Sequence, residues 1–100
     1  ILNLNTDLKE MFVEEKYEEL EKALSTIDKI NINEIILYNW KIINKYYIES
    51  NFNVLIQYIK FVAYNCYLTE IAYKESYIDK DVYSGMMEVY DDIYVNIKKQ

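Results

Sequence analysis

Apolar residues recur at helical spacing in four stretches of the chain, and no stretch of four or more residues alternates cleanly between apolar and polar. The first helix is predicted over 7–27. Leu8, Phe12, Leu20, Leu24 and Ile27 mark its core face, with Tyr17 in the same stripe, and Asn5-Thr6-Asp7 serves as its opening cap. Ser25-Thr26 to Asn33 reads as the break. The second is predicted over 33–49, with Ile36, Trp40, Ile43 and Tyr47 buried and Asn31/Glu34 at capping-box spacing. The third, over 54–74, carries Leu55, Ile59, Val62, Cys66 and Tyr73 on one face, and Ile56, Phe61, Tyr64, Leu68 and Ile71 on the others. A helix apolar nearly all round belongs at the centre of a bundle. Ile59, Val62 and Cys66 are therefore expected to be nearly fully buried. The fourth, over 80–98, starts near Asp79 or Asp81 and repeats Val82, Met86, Val89 or Tyr90, Ile93 and Ile97. Gly85 lies inside it, where a close helix crossing would account for a glycine. The expected fold class is all-α, a compact bundle of about four helices with short loops, forming a single domain over 1–100.

Two local patterns resemble known helical units. Tyr46, Ser50, Phe52, Leu55, Ile59 and Val62 resemble the helical hairpin of a tetratricopeptide repeat, although Leu55 stands where that repeat has a small residue and no second copy follows. Ile71-Ala72, Ser76 and Val82-Tyr83-Ser84 resemble a helix-turn-helix of the tetracycline-repressor or AraC type. Here Ser76 replaces the turn glycine, and Asp79, Asp81 and Glu88 stand where phosphate-contacting bases belong. These resemblances imply a helical regulatory or structural domain of a larger protein or assembly.

Composition narrows the chemistry. The chain has 100 residues, 17 acidic and 11 basic, with a formal net charge of −6. All the basic residues are Lys, so the bidentate fork that reads phosphate and guanine is absent. No direct nucleic-acid contact is expected. With His 0, a Ser or Cys nucleophile lacks its usual base, and the commonest metal ligand is missing. One Gly and no Pro exclude a phosphate-cradling loop and turn-rich β architectures. Cys66 reads as a small core residue rather than a reactive thiol. The expectation is no catalysis, no metal and no cofactor. Gln57, Lys60, Asn65 and Glu70 interrupt the apolar third helix, which argues against a membrane span. Ile, Asn, Lys and Tyr supply nearly half the residues, as AT-rich codons would produce, so the Tyr 12 are a weaker sign of a binding surface than they look. The chain shows no signal peptide, and it starts without Met, as a processed product or a domain of a longer chain would. A cytoplasmic location is expected.

The acids concentrate at the start. Glu10, Glu14, Glu18 and Glu21 form one stripe on a continuous first helix, opposite its core face. Glu10–Glu14, Glu14–Glu18 and Glu15–Glu19 would then be like-charge pairs, each costing roughly 0.2–0.5 kcal/mol. A stripe that destabilises its own helix suits a basic partner. Tyr64, Tyr67 and Tyr90 complete the expected contact surface, since aromatic residues dominate interface hot spots. The expected function is a non-enzymatic protein-binding module, a small acidic inhibitor, immunity or antitoxin-like protein that neutralises a basic protein partner, as a monomer or a homodimer.

Overall fold

A computed structural model describes residues 2–49 and 55–98. The order is α1 (Leu2–Val13), α2 (Tyr17–Leu24), α3 (Lys29–Glu49), α4 (Leu55–Lys74) and α5 (Lys80–Lys98), with no strand among the described residues. The all-α class holds, with five helices among the described residues in place of about four. The turn residues of the hairpin between α3 and α4, Ser50 and Phe52 included, lie outside the described residues, as do Val54 and the side chain of Leu55.

The extra helix comes from a break inside 7–27. Glu15 takes a left-handed conformation (φ 61), Lys16 N–H donates to Met11 O at 2.8 Å, and Glu15 N–H donates to Phe12 O at 3.1 Å. Ser76 (φ 63) closes α4 in the same way, with Tyr77 N–H to Ala72 O at 2.7 Å. Glycine normally fills this position at a helix C-terminus. A chain with one glycine uses Glu15 and Ser76 there, at a cost of roughly 1–2 kcal/mol each. Asn5 is no cap: it lies inside α1, which is already helical at Leu2. α3 begins at Lys29, four residues before the expected start, because Asp28 caps it. Its Oδ1 accepts from Asn31 N–H at 2.8 Å, so the Asn31/Glu34 box is not the start signal. Asp79 caps α5, accepting from Val82 N–H at 2.9 Å.

α4 packs against α3, α5 and α1, and α2 rests on α1. It is the central helix that its apolar composition predicted. Its core line runs through Tyr58, Val62, Tyr64, Leu68 and Ala72, all buried. Val62 is fully buried as expected, but Ile59 and Cys66 are only partly so, because the inward face is turned toward Asn65 and Thr69. Two apolar clusters result. One joins Leu8, Leu20, Leu24, Ile32, Ile35, Ile36, Tyr64, Leu68 and Ala72. The other joins Ile43, Tyr58, Val62, Tyr90 and Ile93. Along α3 and α4, Asn39 and Asn65 separate residues of the first cluster from residues of the second.

Buried asparagines on three helices are costly unless every polar atom is paired. Here they are. Asn5 Nδ2 donates to Asn39 Oδ1 at 2.7 Å, and Asn39 Nδ2 donates to Asn5 Oδ1 at 3.3 Å and Asn65 Oδ1 at 3.1 Å. Asn65 Nδ2 donates to Ile36 O at 3.3 Å and Tyr90 OH at 2.9 Å. Thr69 OH donates to Asn65 O at 2.7 Å, so Tyr90 OH is the donor in its 3.0 Å contact with Thr69 Oγ1. Tyr64 OH closes the set on Asn5 Oδ1 at 2.9 Å. One network thus ties α1, α3, α4 and α5 to a single register, since sliding any helix strands several groups at once.

Candidate functional site

The buried network carries no reactive chemistry. Its groups are neutral and saturated. Burial raises the phenol of Tyr64, and pushes that of Tyr90 up to about 12 against the opposing effect of its contacts with Thr69 and Asn65. This also corrects two of the expected contact residues: Tyr64 and Tyr90 are fully buried and form no surface. Cys66 Sγ lies 3.8 Å from Met87 Sδ. Burial, then the nearby charges of Glu70 and Asp91, push its thiol up to about 11, away from thiolate chemistry. Among the described residues, no three of Cys, Asp and Glu gather as a metal site would require.

The four acids expected on one stripe are divided between two helices. Glu10 is on α1, Glu14 is in the turn, and Glu18 and Glu21 are on α2. Glu14–Glu18 and Glu15–Glu19 straddle the break and are not helical neighbours. Glu18 and Glu19 instead occupy the first turn of α2, where the helix dipole favours negative charge by about 0.3–1 kcal/mol. Glu14 pairs with Lys16 at 3.0 Å, an exposed contact of small energetic weight. Two of the three like-charge pairs therefore fall away, and only Glu10–Glu14 stays one helical turn apart, with Glu14 N–H donating to Glu10 O at 2.9 Å.

The break nevertheless carries Glu21 and Tyr67 to one place. Burial, then the charge of Glu21, then Tyr17, raise the Tyr67 phenol. Tyr17 was expected in the core but is 46% exposed, with its ring centroid 6.0 Å from Phe12, which in turn lies 5.4 Å from Tyr67. On α4, Tyr67, Glu70 and Tyr73 follow at intervals of three and so wind about 120° around the helix, from the side of Phe12 and Tyr17 to that of Tyr83. Tyr73 stacks on Tyr83 of α5 at 4.1 Å and 11°. The result is a surface of tyrosines and carboxylates from α2, α4 and α5. Of the expected contact residues it contains Glu21 and Tyr67, with Glu18 one helical turn before Glu21. The sequence reading missed Tyr17, Glu70, Tyr73 and Tyr83. Their exposure depends on the turn at Glu15 and on how α4 is rotated, which the periodicity of α4, apolar on every side, did not fix.

A second surface feature lies between α3 and α5, both of which pack on α4. This groove, about 410 Å³, has Ile36, Trp40, Ile78 and Met86 along it and Asn33 in its wall. Leu37 and Val82 stand at its edges, 52% and 48% exposed. Gly85 lines it as well. A Cβ at Gly85 would meet nothing within 4 Å, so no helix crosses there and the expected reason for the glycine is overturned. Its cost of about 1 kcal/mol relative to Ala has no return inside the fold. Asn33 Nδ2 donates to Tyr77 O at 3.1 Å, while its Oδ1, shielded from solvent, has no partner among the described residues.

No family model, curated protein or solved structure matches the chain. Among the described residues, no helix is long and apolar enough to cross a membrane.

Proposed function

We propose that this chain is a non-enzymatic protein-binding module, an acidic inhibitor, immunity or antitoxin-like protein that neutralises a basic protein partner. The observation that carries this reading is the surface where Glu18, Glu21 and Glu70 accompany Tyr17, Tyr67, Tyr73 and Tyr83 on α2, α4 and α5. Tyrosines supply contact area at low side-chain entropy cost, and the carboxylates steer a basic partner onto it. Every described carboxylate of the molecule is exposed, so the charge of −6 acts outward.

The test is affinity capture with the immobilised protein. A basic protein should be retained at low salt, released at high salt, and lost from the Glu21→Gln/Tyr67→Ala variant. Retention unchanged by that variant would reject the surface. The runner-up, a helical regulatory or structural domain of a larger assembly, is favoured by the open groove between α3 and α5 with its exposed Leu37 and Val82. Its helix-turn-helix form fits poorly, because Asp79, Asp81 and Glu88 are exposed where phosphate would approach.

A further inference from the structure

The groove between α3 and α5 shares no residue with the tyrosine surface, and its features point one way. Its interior is apolar and its edges expose Leu37 and Val82. Asp81, Gly85, Glu88 and Asp92 follow one another at helical spacing along the outer edge of α5, and the three acids are exposed. No Lys interrupts that line. On the facing edge of α3, Lys41 lies one turn beyond Leu37. Gly85 removes a side chain from the groove wall where nothing inside the protein needs the space. Asn33 Oδ1 adds an unpartnered acceptor in the same wall.

We propose that this groove docks an amphipathic helix of a partner protein, its apolar face laid against Ile36, Trp40 and Met86 and a row of Lys or Arg along the α5 side. A helix enters such a groove through apolar residues at i, i+3, i+4 and i+7. Gly85 lets its backbone approach α5 closely. Asp81, Glu88 and Asp92 pair with the basic row and fix which way round the helix lies. An anionic or wholly apolar segment fails this match, because the α5 edge would face it with three carboxylates.

Trp40 is the one tryptophan of the chain and lines the groove, so its emission reports occupancy directly. The probe is a synthetic amphipathic peptide of about 18 residues, five helical turns, built from Leu on one face and Lys on the other, with a Leu/Glu peptide of the same pattern as control. The Leu/Lys peptide should saturably shift Trp40 emission, and the Leu/Glu peptide should bind at least about tenfold more weakly. Gly85→Met, whose side chain fills the groove, should weaken the Leu/Lys peptide by at least about tenfold, with a melting temperature equal to or above the parent's. Asp81→Asn/Glu88→Gln should weaken it too, and flatten its salt dependence. Equal binding by parent and Gly85→Met, equal binding of the two peptides, or no Trp40 response at saturation each overturns the proposal. So does a concentration-dependent Trp40 shift of the protein alone accompanied by dimerisation, which would assign the groove to a second copy of the chain. None of these outcomes touches the tyrosine surface, whose failure is read separately by affinity capture.

Discussion

Asn33 and Asn39 lie on the same helix, and their side chains meet opposite conditions. Asn39 is fully buried and exchanges hydrogen bonds with Asn5 and Asn65, whose remaining atoms are taken up by Tyr64, Tyr90 and the Ile36 carbonyl. Asn33 sits in the groove wall with one amide hydrogen bond made and its Oδ1 unpartnered. Around Asn39, four helices converge and no polar group is left over. Around Asn33, a groove opens between α3 and α5 and leaves apolar side chains half in solvent. The difference separates residues that specify the fold from residues free to contact something else. Among the described residues the interior is closed chemically as well as sterically, which leaves contacts with other molecules to surface features that the fold does not need.

The largest expected break in this contrast comes from high pH. Tyr64 and Tyr90 are held neutral by burial and have folded values above the ordinary tyrosine value near 10, that of Tyr90 at about 12. An unfolded chain releases these protons first, so raising the pH favours unfolding. Stability is fully present below about pH 10 and is lost between about 10 and 12, at about 1.4 kcal/mol per pH unit for each of the two tyrosines. Urea unfolding followed by circular dichroism across this range should show the loss. A flat profile would mean that the network is open to solvent.

Next in size is Asn39→Leu, which keeps the branched outline of the side chain but strands Asn5 Nδ2 and Asn65 Oδ1. Each buried group left alone costs about 1–3 kcal/mol, so the urea midpoint should fall clearly. An unchanged midpoint would show that the network contributes nothing to the fold.

The smallest effect has the opposite sign and belongs to the groove. Gly85→Ala places a Cβ where nothing lies within 4 Å and improves helix propensity, so it should stabilise the protein by about 0.8–1 kcal/mol. Destabilisation would show that the fold itself requires the glycine.

The same contrast explains how far the sequence could be read. The bundle was legible because helical periodicity survives in each stretch and strand patterning is absent. The start of α5 was expected near Asp79 or Asp81 and lies at Lys80, with Asp79 as its cap. The break at Glu14–Lys16 was not, because its left-handed residue is a glutamate, without the glycine that announces such a turn. Asn5, Asn39 and Asn65 were equally hidden, since asparagine ordinarily marks caps and turns and says nothing of a partner far along the chain. The rotation of α4 decided which tyrosines are buried. With apolar residues on all its faces, only tertiary packing selected Tyr64 for the interior and left Tyr73 outside. The groove was illegible for a similar reason: Trp40 and Val82 repeat at core spacing, and only the groove between α3 and α5 leaves them at a surface.

The association rate between this protein and the basic partner proposed for it tests the acidic tyrosine surface most directly. The measurement compares the parent with Glu18→Gln/Glu21→Gln/Glu70→Gln at rising ionic strength, with melting temperatures recorded alongside. The three carboxylates are exposed and lie outside both apolar clusters, so the variant should melt close to the parent, lowered only by the lost dipole interaction of Glu18 at the start of α2. Its low-salt association rate should fall by about tenfold and its dependence on salt should flatten, because steering acts on the encounter before any contact forms. An on-rate at low salt identical to the parent's would contradict the account and return the acidic tyrosine surface to the status of a solvated face.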